Sequence, residues 1–292
     1  MRFGSLEAGG TKMVMGILNE NMQILRSTTC LTRTPEETMP DILDFFEGEH
    51  LDAVGIATFG PVNLNENSSE YGNITSTPKL AWRNFPLYRT MVDTLKVPCL
   101  VDTDVNAAAL AEATYGAARN LNNCLYITVG TGIGGGLLCE GKLVHGMLHP
   151  EWGHIPLSRH EDDPLTRGIC PYHTLCLEGL ASGPSIQNRW GVPANELLED
   201  HRAWDLEAFY LAQLCVTALM TVSTERIILG GGVMNQSVLF PKIREKLSEM
   251  LGGYLQHPRI ENLEELVCPP ALTPNSGLIG GALLAKRAYE ST

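Results

Sequence analysis

Two stretches of this chain follow one plan, and together they constrain its fold more than any other feature. Residues 2–18 (RFGSLEAGGTKMVMGIL) and 124–144 (CLYITVGTGIGGGLLCEGKLV) each read as a strand, a glycine turn carrying a threonine, and a returning strand. They occupy corresponding places in the two halves of the 292 residues, which predicts two related domains facing each other. The expected units are 1–115, completed by a final helix at about 277–292, and 116–276, which carries a loop at 149–178 rich in metal-ligand residue types.

Between and after these stretches, strands alternate with helices. Strands are expected at 24–32, 53–58, 99–101 and 226–229, and helices at 86–96, 104–115, 206–223, 236–250 and 277–289, with shorter ones from Thr34-Pro35 and Ser182-Gly183-Pro184. This is the pattern of an α/β chain. Residues 62–82 are polar and irregular, as binding loops often are, and 130–136 read as a glycine-rich turn.

With 44% hydrophobic residues the chain can bury a large core or two moderate ones. No apolar run is read as membrane-spanning and no signal peptide is expected. The eight cysteines mostly stand in apolar contexts, as buried thiols of a cytoplasmic protein do. A net charge of −12 argues against a nucleic-acid partner, because no basic stripe is available to neutralise phosphates. Nucleotides stay possible, since local backbone amides hold them.

The loop HPEWGHIPLSRHEDDPLTRGICPYHTLCLEG at 149–178 contains Glu151 and His154, then Cys170, His173 and Cys176 at three-residue intervals, then Glu178. Thiolates and imidazoles are the ligands that a closed tetrahedral zinc site prefers, with His154 as the fourth vertex. Such a structural zinc holds Glu151 and Glu178 at either end of a cross-linked loop, two carboxylates facing a polyhydroxylated ligand. A Cys170–Cys176 disulfide, or buried free thiols beside unrelated histidines, are the alternatives.

Gly9-Gly10-Thr11-Lys12 and Gly130-Thr131-Gly132-x-Gly134 place unhindered amides at hairpin tips, where they can form nests for phosphate oxygens. Gly230-Gly231-Gly232-Val233 adds a third cluster between a strand and a helix, and the set points to nucleotide binding. Asp104 sits where a strand gives way to a helix, flanked by Asp102 and Asn106. It reads equally as a base that takes a proton from an attacking hydroxyl and as a helix cap.

Taken together, these residues resemble the ROK family (repressors, open reading frames and sugar kinases), within it the bacterial fructokinase branch. The pieces are EAGGTK at 7–12, GPV at 60–62, DTDVNAAALAE at 102–112, VGTGIGGG at 129–136, HPEWGHI at 149–155, CPYHTLCLEGLASGPSI at 170–186 and GLIGGALLA at 277–285. The resemblance implies a two-domain, actin-like and hexokinase-like (ribonuclease H-like) ATPase fold with a zinc-bound loop, sugar and ATP meeting in the cleft. It implies Asp104 as base. Gly60, Thr103, Asp104, Asn106, Glu151, His154 and Glu178 fall at the sugar, and His154, Cys170, His173 and Cys176 fall around zinc. Gly9, Gly10, Thr11, Lys12, Thr131, Gly132, Gly183, Gly231, Gly232, Val233 and Asn235 fall at the nucleotide. Glu7 stands where most of the family has Asp, Thr103 where many have Asn, and the zinc loop has its own spacing with His173 as a ligand. The resulting expectation is an ATP- and Mg2+-dependent kinase of D-fructose at its 6-hydroxyl, working as a cytoplasmic homodimer. Kinases of mannose, glucose or N-acetylhexosamine, and a sugar-sensing protein without catalysis, are the competing readings.

Overall fold

A computed structural model describes residues 1–292. In chain order its elements are β1 (Arg2–Ala8), β2 (Lys12–Asn19), β3 (Ile24–Leu31), α1 (Pro35–Phe46), β4 (Ala53–Thr58), α2 (Leu87–Leu95), β5 (Cys99–Thr103) and α3 (Asp104–Tyr115). Then come β6 (Cys124–Val129), β7 (Ile133–Cys139), β8 (Lys142–Leu143), α4 (Leu177–Ala181), α5 (Gly183–Trp190), α6 (Ala203–Val222) and β9 (Arg226–Gly230). Last are α7 (Leu239–Leu251), α8 (Pro258–Glu261), α9 (Leu263–Leu266), β10 (Val267–Cys268) and α10 (Ser276–Glu290). The strands form two five-stranded mixed sheets, ordered β3-β2-β1-β4-β5 and β10-β9-β6-β7-β8. Read from opposite ends the two orders are the same. The repeated strand–turn–strand of the sequence is the antiparallel pair β1–β2 in one sheet and β6–β7 in the other, each extended by parallel partners.

The first compact unit comprises Met1–Tyr115, Leu143–Pro150 and Leu272–Thr292. Side chains alternate across a strand, so β1 and β4 feed two cores. Leu6, Ala8, Val54 and Ile56 join Ile42, Phe46, Trp82 and Met91 on the α1–α2 side. Phe3, Ala53 and Ala57 join Leu110, Leu278 and Leu284 on the α3–α10 side. On that second side the packing is backbone-close. A Cβ on Gly55 would fall on the Gly281 carbonyl oxygen, and one on Gly280 on that of Ala107. Small residues therefore let α10 lie directly on β4 and α3.

The second unit comprises Gly116–Lys142 and Glu151–Ala271. Here two expectations change. The glycine turn is only three residues long, because Gly134, Gly135 and Gly136 pair with Thr128, Ile127 and Tyr126 inside β7. Glycine is needed there for packing: a Cβ on Gly135 would meet Trp152 at 2.8 Å. A helix of membrane-spanning length and apolarity is also present, contrary to the sequence reading. It is α6, 20 residues long. It packs as a core helix against α7 and α4, with Trp204, Tyr210, Leu211 and Leu214 fully buried. The helix itself is expected from the sequence, at 206–223; it passes as membrane-spanning because it is apolar nearly all round, as buried helices are.

Candidate functional site

In the first unit, Asp104 is the first residue of α3. The capping bond belongs to Thr103, whose Oγ1 accepts the Asn106 N–H at 3.1 Å. Thr103 is the N-cap and Asn106 the third helical position, the usual geometry of such a cap. The Asp104 carboxylate takes the adjacent Val105 N–H, at 3.0 Å, rather than an N–H of the next turn. Burial pushes Asp104 up to about 6, a range suited to a base near neutral pH. Glu7 shares the α3–α10 face of the sheet with Phe3 and Ser5, and its carboxylate fills the space above Gly277 at the start of α10. Burial pushes Glu7 up to about 7, the charge of Asp104 adding to the effect and Lys12 opposing it. Glu7 on β1 and Asp104 after β5 stand on strands separated by β4, and the charge of Asp104 opposes ionisation of Glu7. Perturbed carboxylates of this kind are candidates for a functional role.

The first glycine turn lies beside them. Gly9 N–H donates to the Lys12 carbonyl at 3.1 Å, and Thr32 Oγ1 donates to the Gly9 carbonyl at 2.7 Å. Thr11 and Lys12 are exposed at the tip. A Cβ on Gly9 would approach the Lys12 carbonyl oxygen to 2.7 Å, so the tight turn requires glycine. Gly60 packs against the His149 ring, 3.0 Å from where its Cβ would stand.

In the second unit, Gly130 N–H donates to the Gly132 carbonyl at 2.9 Å, and Gly183 N–H donates to the Gly130 carbonyl at 2.8 Å. The start of α5 is thereby fastened to the hairpin tip, with Thr131 exposed between them. Gly231 has φ +89°, and a Cβ there would run into the Val129 backbone. The glycine cluster leads into a single 3-10 turn, Val233–Asn235, and α7 starts only at Leu239.

The Cys/His loop is built from short backbone ties. The 3-10 turn Trp152–His154 lies against β7, with Gly153 over the Ile133 carbonyl. Leu157 N–H donates to the Leu175 carbonyl at 2.9 Å, and Leu177 N–H to that of Ile155 at 3.0 Å. These contacts gather ligand atoms of His154, Cys170, His173 and Cys176 within 4.8 Å of one another. Cys176 Sγ lies 3.7 Å from His154 Nδ1, and Cys170 Sγ lies 3.7 Å from His173 Nδ1. Metal bonds of about 2.3 Å to sulfur and about 2.1 Å to nitrogen give a tetrahedron with edges of roughly 3.4–3.8 Å. The two 3.7 Å pairs match this, and Cys170 Sγ to His154 Nδ1, at 4.0 Å, is slightly longer. Both cysteines are free thiols, so the disulfide alternative is not adopted. Gly179 N–H donates to Cys176 Sγ at 3.4 Å, which orients the sulfur as outer-shell partners do.

Cys176 is also the N-cap of α4, so the helix that begins at the cluster carries Glu178 in its first turn. Glu178 Oε2 accepts the Ile133 N–H at 2.9 Å, next to Gly132. Glu151 precedes the 3-10 turn, and its carbonyl accepts the His154 N–H at 3.0 Å.

Sequence reasoning missed two arrangements. His145 Nε2 lies 2.9 Å from Asp102 Oδ2, beside Asn106. A buried ion pair joins Arg189 to Asp163 at 2.9 Å, with Tyr210 OH donating to the same carboxylate at 2.6 Å. The repeated histidines of HGMLHPEWGH were a signal for the first, whereas nothing local marks the second.

Residues 3–288 match the ROK family. The chain is 40% identical to a fructokinase from Pediococcus pentosaceus over 291 residues, covering 100% of both chains. It is 39% identical to a fructokinase from Lactococcus lactis subsp. cremoris, covering 97% of this chain and 96% of that one. Among solved structures it is similar to the ROK hexokinase from Thermus thermophilus, with TM-score 0.80, 25% identity and full coverage of both chains. With the family matched along nearly its whole length, the chain belongs to the ROK family.

Proposed function

We propose that this chain is an ATP-dependent hexose kinase that phosphorylates D-fructose to fructose 6-phosphate. The observation that carries the reading is full-length similarity at 39–40% identity to relatives named fructokinase. The geometry supports it with a carboxylate, Asp104, that does not serve as the helix cap and is held near neutral pKa.

In this reading Asp104 accepts the proton of the 6-hydroxyl as that oxygen attacks the γ-phosphorus of ATP, which enters as its magnesium complex. The amides of the Gly9–Lys12 and Gly130–Gly132 turns, with Gly183 and the Gly231–Asn235 segment, cradle the nucleotide. Glu151, His154 and Glu178 address sugar hydroxyls, with Gly60, Thr103 and Asn106 on the side of Asp104. Thr103 Oγ1 already accepts a backbone N–H, which leaves its proton and one lone pair available to a ligand. The Cys/His cluster suits zinc, and four protein ligands leave no open position, so the metal is structural there. It would fix the Cys176–Glu178 turn. A cytoplasmic homodimer is part of the proposal, on the strength of the family resemblance. Phosphorus and carbon NMR of the product test the reading: the phosphate is expected on C6 of fructose, and phosphate on any other carbon contradicts it.

A further inference from the structure

The segment Leu143–Pro150 packs with the first unit and brings His145 to Asp102. Asp102 is 5% exposed, and both its oxygens are committed. Oδ1 accepts from the Thr103 N–H and from Asn106 Nδ2, each at 2.7 Å, and Oδ2 faces His145 Nε2 at 2.9 Å. The side chain of His145 is 39% exposed and its Nδ1 has no partner. Asn106 is 1% exposed, and its Oδ1 is buried without a donor.

Each of these features exceeds what a loop anchor needs. An orphan buried acceptor is rare in folded proteins, because the lost hydration is not replaced. An O–H supplied by a ligand would satisfy it. The anchor itself is provided elsewhere, since His149 Nε2 accepts the Val62 N–H at 3.2 Å and its ring packs on Gly60. Burial favours the neutral form of His149, as that acceptor role requires. His145 moves the opposite way, its bond to Asp102 raising its pKa while burial opposes, with Glu66 and His149 as the other charges facing it. A protonated His145 offers Nδ1–H as a second donor. The two side chains meet over Asp102, with Asn106 Nδ2 3.4 Å from His145 Nε2.

We infer that His145, oriented by Asp102, and Asn106 Oδ1 form a hydroxyl-reading subsite for the hexose, and that His145 is a specificity-determining residue. One sugar hydroxyl donates to Asn106 Oδ1 and accepts from His145 Nδ1. The inference rests on the hexose-kinase reading. A site that hydrogen-bonds a hydroxyl discriminates strongly against a sugar lacking it, because its own polar groups are then left unpaired.

The test is calorimetric binding of fructose and of its single-deoxy analogues, without ATP, to wild type, His145→Ala and His145→Gln, with Tm and ATP affinity measured alongside. The expected result is a fructose affinity lowered about tenfold or more in His145→Ala, with Tm and ATP affinity near wild type and partial recovery in His145→Gln. One deoxy analogue should bind wild type as weakly as the alanine variant binds fructose, and lose nothing further in that variant. Fructose affinity within about twofold of wild type in His145→Ala overturns the inference, as does equal loss for every analogue or a matching fall in ATP affinity. If wild type phosphorylates fructose but the variants bind it normally, only this inference fails. If wild type binds no hexose, the kinase reading falls, and the subsite with it.

Discussion

Glu178 Oε2 accepts the backbone N–H of Ile133 at 2.9 Å, which joins the first turn of α4 to the tip of the β6–β7 hairpin. A Cβ on Gly132 would stand 2.8 Å from that same oxygen. The second glycine turn and a proposed sugar carboxylate are thus one mechanical unit. Gly132→Ala is expected to displace Glu178 and weaken fructose binding as well as ATP binding, by calorimetry. Unchanged fructose affinity would show that the contact has no bearing on the sugar.

Asp104→Asn separates the base from a structural role. Its kcat should fall by about 10²–10⁴ with little change in KM. The wild-type rate should decline as pH drops below about 6, where Asp104 takes up its proton. Stability moves the other way. Burial raises the folded-state pKa, so the group's contribution is fully present at low pH and lost as pH rises through about 6. The variant should therefore melt above wild type at pH 8, by differential scanning fluorimetry, with the advantage shrinking below about pH 6 and lost only as pH falls to about 4. A near-normal kcat in the folded variant removes Asp104 from the chemistry.

The repeated strand–turn–strand, the final helix and the Cys/His cluster were all legible in the sequence because each is written in a short window. The cap was not: Thr103 and Asp104 are both favoured cap residues, and only the bond from the Asn106 N–H to Thr103 decides between them. Glu7 escaped for another reason. Its burial depends on α10, more than two hundred and sixty residues later, supplying Gly277 over its carboxylate. The helix α6 is expected at 206–223, but not that its apolar surface reaches nearly all round it. Gly134–Gly136 read as turn because glycines that serve a strand under Trp152 look like turn residues.

The Cys/His cluster predicts about one zinc per chain by elemental analysis. Cys176→Ser should lose the metal or hold it weakly, because a neutral hydroxyl replaces a thiolate. Since Cys176 also caps α4, fructose affinity should drop through Glu178 while ATP affinity changes less. Wild-type protein purified without chelators and found metal-free would contradict the proposal.

Arg189→Met tests the buried ion pair. Burial alone would raise Asp163, but the bonds from Arg189 and Tyr210 outweigh it and hold its carboxyl below the usual range. Removing the guanidinium leaves a charge without its partner in the core, which should cost about 3–5 kcal/mol in chemical denaturation. Arg189 also donates to the Leu180 carbonyl at 2.9 Å, so the loss should loosen the end of α4. A loss below about 1 kcal/mol would mean that the pair contributes no more than a surface bridge.

The most direct test of the central claim is a coupled ADP-release assay of the wild-type chain with MgATP across D-fructose, D-glucose, D-mannose and the N-acetylhexosamines. The account predicts ATP turnover with the highest kcat/KM for fructose. Highest specificity for glucose or another hexose would contradict the assignment to fructose, and ADP release with none of the sugars would contradict the kinase itself.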